Sequence, residues 1–132
     1  MNGTSAALPL VGRILMAALF IIAGAGKLMG FAGTAGYLGK LGFPMPEVMT
    51  VITILIELGG GILLLLGWQT RWVAWLLAIF VVIATLAAHR FWEFDAAQAM
   101  NQRNHFLKNF AIVGGLLFLA AFGPGRAAVD RR

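Results

Sequence analysis

Four apolar runs, residues 10–29, 48–67, 72–89 and 105–123, constrain this chain more than any other feature. A helix rises about 1.5 Å per residue, so about 20 residues cross a hydrocarbon core of roughly 30 Å. Each run has about that length. One such run can be the buried helix of a soluble protein. Four of them in 132 residues, with 61% hydrophobic and 11% charged residues overall, leave no polar layer to cover them. The runs are also solid blocks, without the interleaved polar residues of a helix that keeps one face wet. The reading is therefore an all-α polytopic membrane protein, a single domain over residues 1–132 folded as a four-transmembrane-helix bundle.

The residues between the blocks agree with this reading. Pro46 and Glu47 open the second run, where a missing N–H is harmless and negative charge suits the helix dipole. Gly67 closes it, and the link Trp68-Gln69-Thr70-Arg71 is so short that the second and third spans must form an antiparallel hairpin, with Thr70 as the expected N-cap. Gly123-Pro124-Gly125 stops the fourth span. Residues 31–42 mix Phe31, Tyr37 and Leu38 with Gly, Thr and Lys40, which predicts a short interfacial helix between spans one and two. Residues 90–104 read as a loop whose Phe91, Trp92 and Phe94 form one aromatic belt, with Trp68, Trp72 and Trp75 forming the other. A rival reading takes residues 14–25 as the apolar part of a signal peptide ending at Ala23-Gly24-Ala25. Only Arg13 and the terminal amine precede it as charge, and the glycines and alanines suit close helix packing in lipid, so a first span is the better account.

A net charge of +5 and a pI near 10.9 raise the question of nucleic acid. The ten Lys and Arg are scattered singly and form no stripe, so anionic lipid headgroups are the expected partner and nucleic acid is not. No cysteine is present, which removes disulfides and thiolate chemistry.

Four spans oblige the end of the first, the start of the second, the end of the third and the start of the fourth to emerge on one face. Lys27, His89, Arg90, His105, Lys108 and Asn109 gather there, while Arg13, Arg71, Arg126, Arg131 and Arg132 take the other. Glu57 stands ten residues beyond Glu47, roughly 15 Å into the second span and near the bilayer midplane. A carboxylate at that depth must meet a cation or take up a proton. Lys27 reaching inward is the first candidate partner, and Arg13 on the other side is the second. The plainer reading is an interhelical clamp beside Gly59-Gly60-Gly61, where backbones can approach. His105, Lys108 and Asn109 fall at i, i+3 and i+4 on one helical face, and His89 opens onto the same boundary, which implies a polar pocket. Their plainer reading is as interfacial anchors with heads in water, least easily applied to the short Asn109. No spacing of His89 and His105 suits a metal, and no phosphate loop or nucleophile elbow occurs.

Taken in order, Gly12-Arg13, Gly26-Lys27-Leu28, Gly42-Phe43-Pro44, Glu57 ahead of the glycines, Thr70-Arg71, His89 before Phe91-Trp92, and His105-Phe106-Leu107-Lys108-Asn109 resemble the DoxX family of bacterial inner-membrane proteins. That resemblance implies a four-helix inner-membrane protein, some relatives serving as membrane subunits of quinone-linked oxidoreductases or of oxidative-stress assemblies. The first functional expectation is a redox-associated subunit whose pocket accepts a quinone, with donors from His89, His105, Lys108 and Asn109 and a proton relay through Glu57. No cofactor is encoded by the sequence, so electrons would come from another membrane or redox subunit or from a soluble reductant. A non-catalytic scaffold is the second expectation, and a proton or ion conduit built as a homo-oligomer the third. Lys and Arg number five on each side. Without Arg13, Lys27 and Lys108, which lie within spans, four remain on the terminal side and three opposite, which favours cytoplasmic termini.

Overall fold

The fold is seen in a computed structural model that describes residues 3–129. Helix α1 (Gly3–Met29) is followed by the short α2 (Phe31–Lys40), and the second span is built from α3 (Pro46–Ile54), a π-helical turn (Leu55–Gly59) and α4 (Gly60–Leu66) in unbroken succession. Helix α5 (Thr70–Ala88), a single 3₁₀ turn (Phe91–Glu93) and α6 (Ala96–Phe122) complete the chain. Four segments are long and apolar enough to cross a membrane: Ala7–Met29, Pro46–Leu66, Thr70–Glu93 and Ala96–Phe122. Helix α2 falls on the residues where a short helix between spans one and two was predicted.

The helix ends follow local chemistry, with two departures from the sequence reading. Pro46 occupies the first turn of α3 and Glu47 lies beside it. Gly67, at φ +72°, ends α4 in a Schellman arrangement, its own N–H reaching Leu64 O and the Trp68 N–H reaching Leu63 O at 3.0 Å. Thr70 is not the N-cap. Gln69 takes that position in the left-handed region (φ 51°), so the chain turns into α5 one residue early and Thr70 becomes a fully buried helical residue. The predicted loop over residues 90–104 is also too long. Asp95 caps α6 by accepting from the Gln98 N–H at 3.1 Å, and residues from Ala96 onward are already helical.

Helix α5 packs along α6, and α1 packs along the π-turn and α4. The core between them is slim and centres on Ala17, Phe20, Leu64, Leu77, Ala78 and Leu116. Around it Leu15, Ile22, Ile83, Phe118 and Phe122 stay more than half exposed, an apolar surface that only lipid can solvate. Packing in lipid depends on close approach, because hydrocarbon tails are as apolar as the helices themselves. A Cβ on Gly61 would stand 2.8 Å from Ile21 Cγ1 and 3.0 Å from Ile21 N, so α1 and α4 touch backbone to backbone there.

Candidate functional site

The π-turn at Leu55–Gly59 sits in the middle of the second span and carries Glu57, which is only 5% exposed. Such a turn opens the regular i→i−4 ladder and recurs at functional positions in helices. Helix α1 crosses it at Gly24, where an added Cβ would lie 2.8 Å from Leu58 Cγ and 3.2 Å from Glu57 Cβ. One helical turn further along α1, the Lys27 ammonium reaches in and its Nζ comes within 2.7 Å of Glu57 Oε1. At that distance the buried carboxylate is answered directly by the ammonium charge. The two side chains differ in surroundings: Glu57 is 7% exposed and Lys27 34%.

Both residues line a cavity of about 610 Å³ that is bordered by α1, α2, the second span, α5 and α6. Its walls are mainly apolar, among them Phe20, Leu38, Phe43, Ile56 and Phe80. The polar wall residues include Lys27, Glu57, Lys108, Asn109 and His89. Five of the six residues singled out for the pocket therefore share one space. His105 does not reach it. Its ring instead stacks on that of His89, with centroids 4.9 Å apart and planes 18° from parallel.

Two further residues orient these groups. The Thr85 hydroxyl donates to Val81 O at 2.7 Å, which leaves its oxygen as an acceptor, and the Asn109 Nδ2 amide donates to it at 3.0 Å. Asn109 is thus held with its second N–H and its carbonyl available to the cavity. His89 Nδ1 lies 2.7 Å from Gln102 Oε1. A hydrogen bond at that distance orients the His89 ring and leaves Nε2 free of this contact. Thr85 lies one turn before His89 on α5, and Gln102 one turn before His105 on α6. Neither was singled out from the sequence; same-face spacing with His89 and His105 is the signal that could have found them.

Arg13 is not a partner of Glu57. It is buried at the opposite end of the bundle, where Nη1 donates to Pro124 O at 2.6 Å and Nη2 to Ala127 O at 2.6 Å and Leu65 O at 3.2 Å. It therefore ties the end of the second span to the segment after α6, which also returns a backbone bond from the Val129 N–H to Leu66 O. Arg71 reaches Ala121 O on the same side. Arg131 and Arg132, assigned to that face from sequence, lie outside the described residues.

A four-helix bundle with a lipid-facing apolar surface and an ion pair at mid-depth beside a cavity defines an integral membrane protein. The chain belongs to the DoxX family, whose match covers residues 8–90 and so includes Lys27, Glu57 and His89. It is 42% identical over 122 residues to the inner membrane protein YqjF of Escherichia coli (strain K12), spanning 92% of this chain and 88% of that one. It is 37% identical over 123 residues to the inner membrane protein YphA of the same strain, spanning 93% and 88%. A protein of Bacillus subtilis (strain 168) named "Putative oxidoreductase CatD" is 32% identical over 74 residues, 56% of this chain and 54% of that one. No solved structure matches.

Proposed function

We propose that this protein is a redox-associated inner-membrane subunit that binds a quinone headgroup in the cavity beside Lys27 and Glu57. The observation that carries the reading is an ion pair placed on the wall of a mainly apolar space of about 610 Å³, at the depth where a charge is most costly. A quinone ring is flat and apolar, with carbonyl oxygens that need donors. Lys27 and Lys108 present ammonium groups, and Asn109 a free N–H. Bound there, a quinone would supply two-electron, two-proton chemistry, with electrons drawn from a partner subunit or a soluble reductant. Glu57 holds or releases a proton against Lys27, and His89 Nε2 accepts one at the rim. The name of the Bacillus subtilis relative supports redox work in the family.

In this reading both termini are cytoplasmic and the rim at His89 faces the periplasm, which a reporter fused after Arg132 would test. The decisive experiment is a titration of the protein in nanodiscs with a short-chain ubiquinone, followed by saturable quenching of tryptophan fluorescence. Binding should saturate, and Glu57→Gln should impair growth under oxidative stress. Absence of saturation together with normal growth of the variant removes the redox reading. A non-catalytic scaffold would then stand, with Lys27 and Glu57 acting as a clamp between α1 and the second span.

A further inference from the structure

We propose that the cavity's ligand is an amphiphile with a long apolar tail, and that the tail leaves the bundle laterally through a groove between α1 and α2, with Lys27 where head and tail meet. The inference rests on the quinone site proposed above and adds the route and the class of ligand.

A second hollow, about 480 Å³, lies open on the outer side of α1 and α2 and is lined by Ile22, Gly26, Gly30 and Gly33. It shares Ala23, Lys27, Thr34 and Tyr37 with the larger cavity, so these four residues stand between the two spaces and the Lys27 side chain borders both. The glycines here differ from those at helix crossings. At Gly24 and Gly61 a Cβ would strike a neighbouring helix, whereas at Gly26 and Gly33 it would meet nothing within 4 Å. Close packing therefore does not account for the missing side chains. They leave open a groove between α1 and α2.

The occupant follows from the character of the two adjoining spaces. Inside, the Lys27 ammonium beside the buried Glu57 and the ammonium of Lys108 line the cavity, so this end suits a polar head with acceptor oxygens. Outside, Ile22 is 71% exposed and the groove is open to acyl chains, so this end suits hydrocarbon. A tail gains little by leaving lipid for the groove, since both are apolar. The groove acts sterically: it lets a tailed molecule seat its head while the tail stays in the bilayer.

The test uses two probes with one headgroup, 2,3-dimethoxy-5-methyl-1,4-benzoquinone without a tail and its decyl derivative, titrated by tryptophan quenching in nanodiscs. Gly26→Leu/Gly33→Leu fills the groove, and Gly33→Leu alone serves if the double variant does not fold. The filled groove should weaken the decyl compound by about tenfold or more, as overpacking does elsewhere, and leave the tailless compound within about twofold. Retained decyl affinity overturns the route. So does an equal loss for both probes, which would mean that the glycines support the head site. In either case binding by the wild type keeps the quinone site, whereas a wild type that binds neither probe removes the site and the route together.

Discussion

Removing Lys27 and removing Glu57 should have unequal consequences, because the two ends of the pair are buried to different depths. At 2.7 Å and an effective dielectric of about 20, their attraction is about 6 kcal/mol before desolvation is subtracted. Desolvation offsets most of that gain, so the pair adds little net stability while making each partner dependent on the other. Lys27→Met conserves volume but strands a carboxylate whose side chain is 7% exposed, and should cost about 3–5 kcal/mol. Glu57→Gln strands an ammonium that is 34% exposed and can swing toward the headgroups, and should cost only about 1–2 kcal/mol. The double variant should fall near the Glu57→Gln value, which gives a coupling of at least about 2 kcal/mol. Each protein would be unfolded with SDS in mixed micelles and followed by far-ultraviolet circular dichroism. Equal single penalties below about 0.5 kcal/mol, or a double variant equal to the sum of the singles, would refute an ion pair buried in a low-dielectric cavity.

The other expectations concern the elements that build the site. Gly24→Leu should separate α1 from the π-turn, because its Cβ would stand 2.9 Å from Leu58 N, and should cost about 1–3 kcal/mol in the same micelle assay. Arg13→Met should release the segment after α6, which loses the contacts of Arg13 with Pro124 O and Ala127 O, so trypsin would cut after Arg126 sooner than in the wild type. Arg13→Lys should not restore protection, since a single ammonium cannot reproduce the spread of two guanidinium nitrogens. Thr85→Val should remove the acceptor of Asn109 and cost about 1 kcal/mol, with weaker quinone binding as a second readout; unchanged binding would show that Asn109 needs no such support.

Much of the scaffold was legible in the residues because it rests on local quantities. Block length defines four spans, a proline opens one of them, and a glycine able to adopt φ +72° closes it. The errors arose where local signals compete. Thr70 is a good capping residue, yet the tightness of the 67–69 turn placed Gln69 in that role. The aromatic and charged character of residues 90–104 read as a loop, although Asp95 is a sound cap and the polar stretch after it continues as helix above the apolar part of α6.

Cost could be read from sequence, but partnership could not. A carboxylate at mid-span is expensive whatever the fold, so Glu57 stood out with no structure, and both Lys27 and Arg13 had the right charge to answer it. Only interhelical distance decides between them. The close crossing at Gly24 brings Lys27 to Glu57, while Arg13, fourteen residues earlier on the same helix and so roughly 21 Å away along its axis, meets the carbonyls of the far end. The π-turn, the stack of His105 on His89, and the cavity likewise depend on how helices distant in sequence come together. Hydrophobic block length states what must be buried in lipid, and the depth and angle of helix crossings state which polar groups then face one another.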